Sequence, residues 1–215
     1  MLIHVHPEGT VELVLPRWVS KAAGDRFLQE QHAWIARAAS THASKRARVQ
    51  AFKVADGESL PCFGDTIRLK LQISADQKRA SVVMRGSVLA IRATDIHAAR
   101  RVLEGWYKRE AREYFSVQAQ EFAEALGVSI ASVRAISMKT QWGSCNKKTR
   151  SLTFNWRLAL APEEVARYVA AHEVAHLLHP NHARVFWNTV ARIYPEHHAQ
   201  RVWLQEYGGA LFLTA

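Results

Sequence analysis

Two prolines frame the segment that most constrains this chain. Pro162 has a preset φ and lacks only an N–H that the first helical turn leaves unbonded, so it opens a helix at its first position. Glu163 and Glu164 follow, where the helix dipole favours carboxylates. Pro180 cannot continue a helix, so the element must end at about His179. The segment is mostly apolar and carries small residues at Ala170, Ala171 and Ala175. Such a helix is built to be buried.

Within it lies His172-Glu173-Val174-Ala175-His176, the H-E-x-x-H pattern. Residues four apart are separated by about 400° of rotation, so both imidazoles leave one face a turn apart. That geometry lets two nitrogens grip one Zn²⁺. Glu173 is offset by about 100° from His172, beside the ion rather than on it. A carboxylate there can take a proton from metal-bound water, whose pKa zinc lowers towards ~7. Two histidines on an apolar helix also need partners, because an unsatisfied imidazole is costly to bury.

A catalytic zinc needs a third protein ligand and an open position. His179 shares the helical face but lies about 10.5 Å along the axis from His172, too far for one ion. The chain must turn back first. Pro180-Asn181 provides the turn, and His182 is the first imidazole after it. Glu196, some twenty residues beyond His176, stands at a separation used by thermolysin-like enzymes, but it follows Pro195, past the end of the next helix. The spacing favours His182 and leaves Glu196 and His179 as alternatives.

Charge and histidine are distributed in opposite senses. The chain has 215 residues, 29 Lys/Arg and 19 Asp/Glu, for a formal charge of +10. After Arg150 the two signs balance, so the whole excess lies in residues 1–150. Of 11 histidines, His172, His176, His179, His182, His197 and His198 fall near the C-terminus. Two cysteines, Cys62 and Cys145, cannot build a disulfide framework, which points to a reducing, cytoplasmic protein. No apolar run approaches the roughly 20 residues of a membrane helix, and Met1–Thr10 shows no secretory leader.

Patterning elsewhere predicts an α+β chain. Residues 1–93 read as β-rich, with strands at 10–19, 49–54, 60–73, 80–84 and 87–92, and a helix from Gly24-Asp25 to about Ala39. Residues 94–215 read as the catalytic part, continuous with the first. Thr94 or Asp95 can cap a long helix whose apolar positions, Ile96 to Leu126, recur at three and four before Gly127 stops it. Strands fit 132–139 and 151–158, joined by a turn-like Trp142-Gly143-Ser144-Cys145. A last helix fits 183–193. Asn155 and Arg157, on the polar face of the 151–158 strand, are candidate substrate-binding residues if that strand is an edge that pairs with a peptide.

Together, Trp142-Gly143-Ser144-Cys145, Phe154-Asn155-Trp156-Arg157-Leu158, Tyr168-Val169, His172-Glu173-Val174-Ala175-His176-Leu177, Asn181-His182 and Phe186-Trp187 resemble the YgjP-like metallopeptidases, predicted metal-dependent hydrolases related to WLM and SprT-like zinc proteases. The resemblance extends to Gly24-Asp25-Arg26-Phe27, Trp34-Ile35 and Phe63-Gly64-Asp65. It implies a zincin-like fold with the active-site helix on an antiparallel sheet. It also implies zinc at His172, His176 and His182, with Glu173 as base. The pattern departs only at Val174, where Leu is usual, and at Ala183, where many relatives have Ser.

The expected activity is zinc-dependent peptide-bond hydrolysis, with a protein or peptide as substrate. Tyr168 or Tyr194 could donate to the oxyanion. Cys145 reads as a small buried thiol rather than a fourth ligand. Phe186 and Trp187 read as anchors for the helix after His182, and His197 and His198 as surface residues. Two competing readings remain: a nucleic-acid-associated SprT-like protease or binding protein, held through the basic residues of 1–150, and a zinc hydrolase of a non-peptide amide.

Overall fold

The structure is a computed structural model that describes residues 1–5, 11–16, 18–33, 35–36 and 53–212. Contacts divide the chain into two compact units, Met1–Ala51 with Gln205–Thr214, and Phe52–Leu204. The boundary expected at 93/94 lies inside the second unit. In the first unit, β1 (Leu2–Val5) and β2 (Val11–Val14) form an antiparallel pair. Helix α1 (Lys21–Glu30) starts earlier than its pattern suggested, because the Ser20 side chain caps it by accepting from the Ala23 N–H. Gly24 is buried there, and a Cβ would stand 2.9 Å from a Leu15 methyl. The expected extension to Ala39 falls partly outside the described residues, and the strand expected at 49–54 falls mostly outside them.

The second unit is built on one long helix. Helix α2 (Ile96–Leu126) has 31 residues and is about 46 Å long. Asp95 caps it through the Ala98 N–H, and Gly127 ends it with φ 66°, a left-handed conformation that glycine adopts without strain. Its buried stripe holds Leu103, Trp106, Tyr107, Phe115 and Phe122, while Ile96 at its start is exposed.

On one side of α2 lies a four-stranded sheet, β3 (Ser59–Cys62), β4 (Asp65–Ile73), β5 (Ser81–Arg85) and β6 (Val88–Ala93), in the order β3-β4-β6-β5. The apolar run predicted as one strand over 60–73 divides at Phe63-Gly64, both at positive φ, into an antiparallel pair. Leu60, Ile67, Leu69, Leu89 and Ile91 are buried, leaving the alternate residues outside. The Tyr107 hydroxyl ties helix to sheet by donating to the Pro61 carbonyl at 2.7 Å.

Further along, α2 meets a second sheet, β7 (Ser132–Ile136), β8 (Gly143–Asn146) and β9 (Ser151–Asn155), in the order β7-β9-β8. The α+β class holds, but this sheet is mixed. β8 runs antiparallel to β9, whereas β7 runs parallel to it. The turn expected at 142–145 is itself mostly a strand. β9 ends at Asn155, whose side chain accepts from the Arg157 N–H and opens a 3-10 turn over Trp156–Leu160.

Helix α3 (Glu163–Ala175) packs on α2 and β8. Pro162 sits at its cap rather than inside it, and the helix stops a turn sooner than Pro180 required. Helix α4 (Arg184–Ile193) follows. Helix α5 (His197–Leu211), which patterning did not reveal, starts in this unit and ends in the other. No helix among the described residues is long and apolar enough to cross a membrane.

Phe115 of α2 stacks on Phe154 of β9, with ring centroids 4.1 Å apart and planes 9° from parallel, and both are fully buried. Phe115→Ala should therefore lower unfolding stability by about 3–5 kcal/mol. A denaturant titration measures it, and a loss below about 1 kcal/mol would contradict this account of the core.

Candidate metal centre

Helix α3 is apolar on nearly every side: Val165, Ala166, Val169, Ala170, Ala171, Val174 and Ala175 are buried. Its small residues let neighbouring elements approach closely, which leaves His172, Glu173 and His176 with few routes to water. At His176 the backbone leaves the helix. The carbonyls of Val174 and Ala175 accept from Leu177, Leu178 and His179, tightening the last turn. The Lys147 ammonium beyond β8 donates to the Leu178 carbonyl at 3.0 Å and ties the turn to the strand. The chain then reverses through Pro180-Asn181.

This reversal brings His182 back to the helix. The Nε2 atoms of His172 and His182 are 3.0 Å apart, and one nitrogen from each of His172, His176 and His182 lies within 4.8 Å of the others. No other cluster of three or more metal-ligating side chains occurs among the described residues. The two alternatives stay outside it. The His179 ring bonds the Thr189 hydroxyl at 3.0 Å, and Glu196 is not part of the cluster. His179 contributes instead through its backbone, because its carbonyl lies 2.9 Å from His176 Nδ1. Tyr168 Oη lies 3.5 Å from His172 Nδ1. The His179 carbonyl can only accept, so it fixes Nδ1–H on His176 and leaves that ring's Nε2 free, while the Nε2 of His172 faces His182, the usual arrangement of supported metal-ligating imidazoles.

Phe186 of α4, fully buried, is the common wall. Its ring centroid lies 4.8, 4.5 and 4.8 Å from those of His172, His176 and His182. Trp187 stacks on His182 at 5.7 Å, and the Arg201 guanidinium covers Trp187 at 4.7 Å. Burial, the two neighbouring imidazoles and Arg201 push His172 down to about 3. Burial also lowers His176. Both rings are thus neutral, the form that binds a metal. Three nitrogen donors fit a borderline cation such as zinc better than calcium or magnesium, which prefer oxygen.

Glu173 is 6% exposed and packs against β8. A Cβ at Gly143 would stand 2.6 Å from Glu173 Cγ and Oε1, so only glycine leaves room for this carboxyl. Burial alone pushes Glu173 up to about 8. Cys145, two residues along β8, is pushed up to about 11 by burial and by Glu173, so it stays a neutral thiol, and it does not belong to the imidazole cluster.

The remaining candidates lie elsewhere. Asn155 is fully buried, and its amide donates to the Met138 and Gln141 carbonyls at 3.0 and 3.2 Å. It holds the segment leading into Gly143 and has no surface for substrate. Arg157 lies over the Trp156 ring at 4.7 Å, in the field of Glu104. β9 is the central strand, between β7 and β8, so it is not the edge that the sequence pattern suggested. Tyr168 Oη approaches His172 from its Nδ1 side, and the Tyr194 hydroxyl donates to the Glu164 carbonyl at 3.0 Å. The half-exposed His197 ring stacks on Trp187 at 6.0 Å, and His198 is exposed. The approach of Gly143 to Glu173 joins positions far apart in sequence and leaves no local pattern, whereas Phe186 follows His182 by one helical turn.

Two outcomes follow from this geometry. Gly143→Ala should displace the Glu173 carboxyl and lower kcat about a hundredfold, with metal content and melting temperature nearly unchanged. Wild-type turnover in that variant would show that the close approach is unimportant. Metal-free Glu173 holds its proton at pH 7, and a nearby dication favours the carboxylate. Metal binding at pH 7 should therefore release most of one proton. Calorimetry in buffers of different ionisation heat reads that proton, and Glu173→Gln should abolish it. Unchanged release in the variant would assign the proton to another group.

The YgjP-like, metallopeptidase domain family matches residues 1–207. No curated protein matches the chain. Among solved structures, the metallopeptidase zymogen of Pyrococcus abyssi abylysin is similar at 22% identity and a TM-score of 0.38, over 42% of this chain and 93% of that one. The metallopeptidase zymogen of Methanocaldococcus jannaschii jannalysin is similar at 23% identity and a TM-score of 0.37, over 42% of this chain and 91% of that one. With nearly its whole length matched by the family, the chain belongs to the YgjP-like metallopeptidases.

Proposed function

We propose that this metallopeptidase is a zinc-dependent peptidase in which His172, His176 and His182 hold the metal and Glu173 is the general base. The observation that carries the reading is the convergence of three imidazoles beside a buried carboxyl from the same helix. Zinc, when bound, supplies Lewis acidity to a scissile carbonyl and lowers the pKa of water. Tyr168 Oη and the His179 carbonyl orient the first two rings through Nδ1. Glu173 takes the proton from the attacking water and returns it to the leaving amine. Its carboxyl is held against the Gly143 backbone, so it needs little reorganisation.

β8 gives the substrate class a structural basis. Among the described residues, only β9 pairs with it, so its outer edge is open. That edge passes Glu173 at Gly143 and offers backbone groups to an extended peptide, a mode of binding that does not depend on side-chain identity. Asn155 acts at one remove, since it anchors the 138–142 segment from which β8 begins.

Glu173→Gln should lower peptide hydrolysis at least a hundredfold while leaving zinc stoichiometry intact, as read by casein digestion and metal analysis. Retained hydrolysis would overturn the assignment of the base. Zinc-dependent cleavage of small amides with no cleavage of peptides would overturn the substrate class.

A further inference from the structure

The outer face of the four-stranded sheet presents an unbalanced charge. Strand alternation buries Leu60, Ile67, Leu69, Leu89 and Ile91 and turns their neighbours outward. Arg68 and Lys70 of β4, Arg85 of β5 and Arg92 of β6 all lie on that outward face, and all four are exposed. The remaining outward positions of these strands are Thr, Gln, Ser, Val and Ala, with Ser and Pro on β3, so the face carries no carboxylate. None of the four cations has an ion-pair partner among the described residues, although the chain has 19 acidic residues.

Register fixes the spacing. Arg68 pairs with Val88, and Val88 pairs with Arg85, so the two guanidiniums share a row two strands apart, about 10 Å. Lys70 and then Arg92 occupy the next two rows, about 7 Å further each. Uncompensated cations at this spacing suit a polyanion. Double-stranded DNA carries one charge per about 1.7 Å, so a patch this size meets several phosphates at once. The face has no aromatic side chain on which bases could stack, which disfavours a single strand. It has no exposed aromatic anchor for a membrane interface either.

We propose that this sheet face binds the phosphate backbone of double-stranded nucleic acid without reading its sequence. The surface is independent of the metal centre and does not rest on the peptidase reading. Phosphate contacts of this kind set the position of a protein on a duplex but carry no base information.

Fluorescence anisotropy with a short labelled duplex DNA tests it between about 50 and 200 mM salt. Four contacts predict a slope of log K against log salt of about −3.6. Neutralising the face in R68Q/K70Q/R85Q/R92Q should remove at least tenfold of the low-salt affinity and most of the slope, and R68Q alone should reduce the slope by about one. The helix variant R100Q/R101Q/R109Q/R112Q changes the charge equally and should keep both, with melting curves confirming that each variant is folded. Failure to bind duplex at low salt would overturn the proposal. Equal weakening by both sets would do the same. So would binding to single-stranded DNA or phosphatidylserine vesicles in place of duplex.

Discussion

A carboxyl group buried without a cationic partner is expensive, and the surroundings of Glu173 depend on that cost. Among the described residues no hydrogen bond or ion pair offsets it, and burial alone raises the group to about 8. Apolar Ala170, Ala171, Val174 and Ala175 keep water from the helix around it, and Gly143 gives it space against the neighbouring strand. A side chain on Gly143 would need the volume the carboxyl now fills. The group is therefore held in a state that a nearby dication would relieve. That ties the energetics of the fold to the chemistry proposed for it.

The three imidazoles obey the same constraint from the other side. Phe186 touches all of them, and such an apolar wall disfavours their charged forms. Their outer nitrogens are occupied where the structure can occupy them, by Tyr168 Oη and the His179 carbonyl. The sheet and helix that support this arrangement converge on α2, whose Phe115 stacks on β9 beside the strand that faces Glu173. A basic sheet face on the same unit, Arg68, Lys70, Arg85 and Arg92, is the surface proposed for a second kind of partner.

Much of the site was legible because it is local. The His172–His176 spacing fixes one helical face, and the Pro180-Asn181 reversal made His182 the favoured third imidazole over His179 and Glu196. The long helix was equally plain, since Asp95 and Gly127 are strong end signals. What could not be read depends on pairing across the chain. β8 has the sequence Gly-Ser-Cys-Asn, with poor strand propensity, and exists because β9 supplies its hydrogen bonds. Its presence at the edge moves β9 to the centre, where Asn155 is fully buried and holds the 138–142 segment. The net charge of +10 was visible from composition, but the alignment of Arg68, Lys70, Arg85 and Arg92 on one sheet face needed the strand register.

The central claim is that three imidazoles, and no sulfur, form the protein half of the metal site. X-ray absorption spectroscopy of the zinc-loaded protein tests it most directly. The account predicts three imidazole nitrogens at about 2.0–2.1 Å and no sulfur scatterer. A sulfur shell at about 2.3 Å would place Cys145 or Cys62 on the metal and contradict it. So would a spectrum that needs only two imidazoles.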